Sequence, residues 1–486
     1  MSKITILPLY LVVIFIMGSA HAQTPKQVQG KDDELTTLRS QLEEMRTSFE
    51  EMKKDYDVRF KQMQDKISKL DEEKERLEKI SKEVVAPVRG GEIKLPSSFQ
   101  QPPIPEKQPW SPSHPLQIFG AGKSYMNISF DALFDFGTST SPNVEELERG
   151  DHDPKQRGLT LPNEEIFLEG AADPYFKGAA DIVYKLDEDN ETEIELEEVY
   201  MTSLSFPLNL QLKAGQYFTE FGRLNPQHPH QWDFVDQPLV NNRMFGPDGL
   251  RSPGGRISWL MPTPFYSEVF LAVLDSQGET AFSFRNEEED ALYGRTPADR
   301  GVRSLGDMLF VPRWTSSFDL MDSHTVLLGA SAAFGPNATG MDTNTQIYGL
   351  DLFWKWKPPT QSGGWPFVTW QTEGMYRRFE AGRDSLAGLP RENLADRGAY
   401  SQVIWGFKKR WTAGLRGEFV TGETGNFGDG LRPDRTRLSP VLTFYPSEFT
   451  KLRLQYNRDE IQSHGSEDSV FLQLEFSIGA HPAHKF

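Results

Sequence analysis

The chain contains no cysteine in its 486 residues. Disulfides, thiolate metal centres and cysteine nucleophiles are thereby excluded. Beyond Met17 it also lacks the ~18–20 consecutive apolar residues that a membrane-spanning helix needs. Positive charge is in deficit, because 52 Lys and Arg stand against 70 Asp and Glu, a formal net charge of −18. Most of the excess falls in the C-terminal three-quarters. Such acidity argues against nucleic acid as a partner and against an anion-selective pore. There is no glycine-rich phosphate loop, no dinucleotide fingerprint and no nucleophile–base pair at a telling spacing, so enzyme activity is not expected. A mean hydropathy of −0.53 does not exclude a membrane. Alternating strands of a membrane barrel keep their average low.

What is present divides the chain into segments. Met1 to Ala22 carries Lys3, an apolar run from Ile4 to Met17, and Ala20-His21-Ala22. That layout predicts a cleavable secretory signal over 1–22. A short segment, 23–34, follows. Residues 35–85 then predict a helical coiled coil in the periplasm. One heptad position reads Leu35, Leu42, Phe49, Tyr56, Met63, Leu70, Leu77 and Val84. Its partner position reads Leu38, Met45, Met52, Arg59, Lys66, Glu73 and Ile80. A seam repeating every seven residues imposes a left-handed supercoil and implies self-association, here expected as a homotrimer. Residues 86–123, with Pro87, Pro96, Pro102, Pro103, Pro105, Pro109, Pro112 and Pro115, predict an extended linker.

From 124 to 486 the periodicity becomes two. Met126, Ile128, Phe130, Ala132, Phe134 and Phe136 share one face, while Asn127, Ser129, Asp131 and Asp135 share the other. Ile194 and Leu196 alternate with Glu193, Glu195 and Glu197; Leu452, Leu454 and Tyr456 alternate with Arg453, Gln455 and Asn457. The last such segment sets Val470, Leu472, Leu474, Phe476 and Ile478 against Phe471, Gln473, Glu475 and Ser477. Strands this apolar on one side suit a wall between lipid and water, and lipid tolerates no open sheet edge. The expected fold is therefore an all-β transmembrane antiparallel β-barrel of 14–16 strands, best counted as 16. Trp354, Trp356, Trp365, Trp370, Trp405 and Trp411 near strand ends are expected to form an aromatic girdle.

The densest polar motif is His228-Pro229-His230-Gln231-Trp232-Asp233-Phe234-Val235-Asp236. Two imidazoles and two carboxylates within nine residues suit a borderline divalent cation, with His228, His230 and Asp233 as candidate ligands for Zn2+. A constriction loop folded into a lumen is the alternative. In that case His228, His230, Asp233 and Asp236 line the pore together with the inward acids Asp131, Asp135, Glu193, Glu195 and Glu197. Asp187 to Glu191 superficially suggests a calcium loop, but Thr192 stands where glycine is required. His481 and His484 are more simply polar chain.

Ala214-Gly215-Gln216-Tyr217-Phe218-Thr219-Glu220-Phe221-Gly222-Arg223-Leu224-Asn225 resembles bacterial porins related to phosphate-selective porins. The run through Asp236, with Phe471-Leu472-Gln473 and Phe476-Ser477-Ile478-Gly479, is similar to outer-membrane proteins labelled zinc-regulated TonB-dependent receptors. A terminal aromatic, Phe486, resembles the insertion signal that the barrel-assembly machinery reads. The resemblance implies an outer-membrane barrel in contact with lipid, and the acidic balance is compatible with divalent ions bridging acidic loops to lipopolysaccharide. A TonB-dependent receptor should carry a plug and ~22 strands, for which ~360 residues are too few. The acidic balance likewise departs from a phosphate-selective pore. The expected function is a porin-like outer-membrane channel for passive diffusion of small solutes, cation-preferring and needing no cofactor. The alternatives are a zinc-uptake receptor and a structural tether from outer membrane to peptidoglycan.

Overall fold

The computed structural model describes residues 116–479, apart from 122–123, 145–146, 148, 188–190, 286–291, 361–362 and 431. The expected signal peptide, N-terminal segment and coiled coil, most of the linker, and His481, His484 and Phe486 lie outside the described residues.

Sixteen strands close into one antiparallel barrel. It begins with β2 (Ser124–Ser139), β3 (Gly158–Ala171), β4 (Phe176–Leu186) and β5 (Thr192–Ser203). It continues through β6 (Leu210–Phe218), β7 (Arg251–Leu260), β8 (Tyr266–Leu274) and β9 (Leu309–Leu320). β10 (His324–Pro336), β11 (Asn344–Trp356), β12 (Phe367–Ala381) and β13 (Glu392–Lys408) follow. The last four are β14 (Trp411–Gly422), β15 (Arg435–Ser447), β16 (Thr450–Ile461) and β17 (Gly465–Ile478). Each pairs with its successor, and β17 returns to β2 with Phe471 opposite Gly137. A shorter strand, β1 (Leu116–Ala121), hairpins onto the start of β2, below the stretch that β17 covers. It occupies the end of the segment expected as linker, just past the last of the prolines.

The expected alternation sets which way each strand faces. Val470, Leu472, Leu474 and Phe476 are exposed on the outer surface, and Phe471, Gln473 and Glu475 are buried inside. The same holds for Leu452, Leu454 and Tyr456 against Arg453, Gln455 and Asn457. Short connections at 172–175, 261–265, 321–323, 409–410 and 448–449 gather at one end of the barrel. Long ones at 140–157, 219–250, 275–308 and 423–434 gather at the other. Because the strand number is even, the chain enters and leaves at the short-turn end.

The six expected tryptophans all sit toward that short-turn end, with Trp370 and Trp405 exposed. A second exposed aromatic belt, Phe136, Tyr348, Tyr376, Phe419 and Tyr456, lies toward the long-loop end. Trp411 and Phe419 are eight residues apart on β14, roughly 26 Å of strand at ~3.3 Å per residue. A tilt of ~40° reduces that to about 20 Å, close to the apolar band of an outer-membrane barrel.

One strand has no clean alternation in the sequence. β3 contains Pro162 and the adjacent acids Glu164 and Glu165. A bulge opposite Phe134, where Leu133 pairs with Asn163 but Asp135 with Thr160, absorbs the proline.

The interior is packed rather than hollow on one side. The 219–250 loop carries a short helix, α1 (Leu239–Phe245), whose seven residues are all buried. Leu239, Val240, Met244 and Phe245 join Phe221 against Val311, Ile347, Met375 and Val420 of the inner wall. This apolar half-core makes the loop a fixed part of the barrel, since each buried aliphatic side chain contributes ~1.5–3 kcal/mol.

Candidate functional site

The 219–250 loop is fastened at its base, across the lumen and at its tip. At the base, Asn225 Nδ2 donates to the carbonyls of Thr219 (2.8 Å) and Leu250 (3.0 Å), and its Oδ1 accepts from Leu250 N (2.8 Å). Gly222 then meets the wall. Its φ is +62°, and a Cβ there would lie 2.0 Å from Glu373 Oε2. Leu224 N donates to Glu373 Oε1 at 2.8 Å, and Arg223 Nε donates to Gln371 Oε1 at 3.1 Å. The Phe221-Gly222-Arg223-Leu224-Asn225 run is thus the anchor that seats the loop on β12.

Asp236 is the second fastening. It is fully buried and pairs with Arg149 at 3.0 Å, with Arg437 at 3.2 Å and with Arg416. Gln455 Nε2 and Asn457 Nδ2 each donate to it at 2.7 Å. Burial alone would raise its pKa, but Arg416, Arg437 and Arg149 outweigh that and hold the carboxyl below its ordinary range. Leu239 N, at the uncapped start of α1, donates to Glu418 Oε2 at 2.7 Å.

The third fastening is a cage of carboxylates on β2–β5 that receives the two histidines. His228 caps a single turn of 3-10 helix, Pro229–Gln231, that contains His230, and their rings stack 5.8 Å apart at 19°. His228 Nδ1 lies 3.1 Å from Glu197, 3.3 Å from Asp181 and 3.6 Å from Glu165, while its Nε2 lies 3.2 Å from Glu198. His230 Nδ1 is 2.9 Å from Glu165, and His152 Nε2, from the 140–157 loop, is 2.8 Å from Glu197. Two consecutive glutamates reach one ring because β5 bulges. Ile182 pairs with Leu196 and Asp181 with Glu198, which leaves Glu197 without an opposite residue. Burial works against a proton on His228, but Glu165, Glu197 and Glu198 outweigh it and hold the imidazole well above its ordinary value.

The sequence-derived candidates separate in space. Asp131, Asp135, Glu195, Glu197, His228, His230 and Asp236 all point inward, and all except Glu195 are buried. Glu193 sits at the rim of β5, its side chain about half exposed and 3.6 Å from Lys185. Asp233 does not join the histidines. It is exposed, with Gln402 Nε2 at 3.4 Å, because the chain turns at Pro229–Gln231 and sends it toward β13. The trio His228, His230 and Asp233 is therefore corrected. The partners of His228 are Glu165, Asp181, Glu197 and Glu198, three of which sequence reasoning did not single out. Asp181 was findable, as a lone acid between the apolar pairs Ala179-Ala180 and Ile182-Val183. Glu165 was hidden by the irregular β3, and Glu198 by the bulge.

Beside His228 lies a cavity of about 390 Å³, lined by Lys177, Lys213, Arg223, Arg256, Arg313 and Glu198 among others. Four of these cations face carboxylates. Lys177 pairs with Glu169 (2.8 Å), Lys213 with Glu198 (3.9 Å), Arg256 with Glu220 (3.2 Å) and Arg313 with Asp351 (2.7 Å). On the opposite wall, Arg377 pairs with Asp396 (2.6 Å) and Arg437 with Asp459 (2.7 Å).

No protein-family model matches the chain. Among solved structures, the outer membrane channel DcaP of Acinetobacter baumannii is similar at TM-score 0.48 and 11% identity, over 73% of this chain and 97% of that one. OprB of Pseudomonas putida gives TM-score 0.46 and 9% identity, over 73% and 94%. OmpT of Vibrio cholerae gives 0.44 and 6%, over 74% and 99%. In sequence, a protein of Aquifex aeolicus (strain VF5), described as uncharacterized, is 31% identical over 355 residues, 68% of this chain and 71% of that one. At that identity and coverage, the chain and the Aquifex aeolicus protein belong to one family.

Proposed function

We propose that the protein is a porin-like outer-membrane channel that passes small solutes by diffusion through a lumen narrowed by the 219–250 loop. The observation that carries this is the wall itself: a closed ring of sixteen strands with apolar residues between two aromatic belts outside and hydrogen-bonding residues inside. Lipid accepts only such edgeless sheets. The loop leaves room for solutes of modest size only, because it fills one side of the interior. Cations are favoured. Interior arginines such as Arg377 and Arg437 are paired with carboxylates, so they only partly offset the surplus of acid that gives the chain −18. Residues 35–85 act as a periplasmic coiled coil that joins three chains. The acidic outer loops meet lipopolysaccharide through divalent ions.

Planar-bilayer recording under a KCl gradient tests this. A reversal potential of the sign for K+ preference is expected. Absence of channels, or a clear Cl− preference, would overturn it.

A further inference from the structure

The surroundings of His228 Nδ1 exceed what hydrogen bonding can use. One ring N–H offers one hydrogen, yet oxygens of Glu197, Asp181 and Glu165 stand at 3.1, 3.3 and 3.6 Å from the same nitrogen. Those distances instead match the three edges that meet at one vertex of a tetrahedron. Four ligands each ~2.1 Å from a central ion lie ~3.4 Å from one another. The four ligand atoms of Glu165, Asp181, Glu197 and His228 all lie within 4.8 Å of one another, and all four residues are buried.

Asp181 is a second, separate sign. It is fully buried, and apart from the 3.3 Å approach of its Oδ2 to His228 Nδ1 neither carboxylate oxygen has a hydrogen-bond partner among the described residues. Asp131, the cross-strand partner of Glu165, is buried with both oxygens in the same condition. Buried carboxylates left so are costly unless a cation faces them.

The outer contacts fit the same centre. Glu197 turns Oε2 to His228 and Oε1 to His152 (2.8 Å); Glu165 turns Oε1 to His228 and Oε2 to His230 (2.9 Å). His228 Nε2 faces Glu198 at 3.2 Å, so with an ion in place of the Nδ1 proton the Nε2–H is donated to Glu198 and the Nδ1 lone pair serves the ion. Support of a ligating imidazole by a carboxylate is the usual way its tautomer is set.

We propose that Glu165, Asp181, Glu197 and Nδ1 of His228 bind one divalent cation of zinc-like character, which fastens the 219–250 loop to the wall of β3–β5. One imidazole and three carboxylates suit Zn2+ or Mn2+ and not a soft ion. His230 supports Glu165 from outside the centre, and Asp233 takes no part. The site stands on this geometry and not on the channel function, so a silent bilayer would leave it untouched.

The test uses the full chain, purified in detergent and stripped with a chelator. Zn2+ is titrated by calorimetry, and Co2+ is followed by visible absorption. Expected are one equivalent per chain and the intense absorption bands of tetrahedral Co2+. Asp181→Asn and His228→Ala should each weaken Zn2+ binding by roughly 10- to 100-fold or more, and Asp233→Ala should leave it unchanged. Heat-modifiable migration on gels establishes that each variant is folded. Folded wild type that takes up neither ion would overturn the site, as would Asp181→Asn binding like wild type. Where a variant fails to fold, the wild-type stoichiometry and Co2+ spectrum decide.

Discussion

At the scale of single residues, Asp236 carries most of the loop's electrostatic attachment. Three buried arginines and two amides converge on it, so its removal strands charge inside the barrel. Asp236→Ala should lower stability by about 3–5 kcal/mol, the usual cost of breaking a buried ion pair from one side. Denaturant unfolding in detergent measures it. The pH dependence has a definite sign. The folded carboxyl titrates below its unfolded value of 3.8, so its contribution is complete above that pH and is lost as pH falls further. The gap in unfolding midpoint between wild type and Asp236→Asn should stay constant from pH 8 to pH 5 and narrow below pH 4. A gap that narrows between pH 8 and pH 6 would point to another group. Gly222→Ala tests the anchor on β12. With φ at +62° and Glu373 in the way, it should cost about 1–3 kcal/mol by the same assay. Single residues were half legible in the sequence. Facing directions followed from alternation, as for Asp131 and Glu197. Partners did not, because Asp236 meets Arg416 and Arg437 from strands far along the chain.

At the scale of elements, the strands were legible where lipid imposes a period of two and obscured where the interior sets the rules. The outward faces of β2, β16 and β17 read directly from Leu, Phe and Val spacing. β3 did not, because a proline and paired glutamates serve a bulge that only the neighbouring strand reveals. The loop was recognisable as one that folds inward. Its helix was not, since seven residues with a proline before them and no side-chain cap carry little local signal. Packing on Val311, Ile347 and Val420 sustains α1. Leu239→Ala, in that apolar half-core, should cost about 2–5 kcal/mol in the same unfolding experiment. A loss under 0.5 kcal/mol would mean that α1 is not seated against the wall.

At the scale of the whole molecule, the barrel was the most legible feature, since edge closure and a two-faced wall follow from the solvent on each side. Hidden from the sequence was how much of the lumen one loop takes up. That depends on a core shared between the loop and β8–β14. Association of chains belongs to this scale too. Sedimentation of the full chain in detergent should give a trimer, and removal of 35–85 should shift it toward monomer. An unchanged oligomer would assign association to the barrel wall. The central claim is a lipid-embedded cylinder narrowed from within by 219–250. It is tested most directly by single-channel conductance of wild type beside a variant whose residues 227–247 are replaced by a short Gly-Ser link, with the Thr219–Asn225–Leu250 base retained. Small steps from wild type and several-fold larger steps from the variant are predicted. Equal conductance, or no channels from either protein, would contradict it.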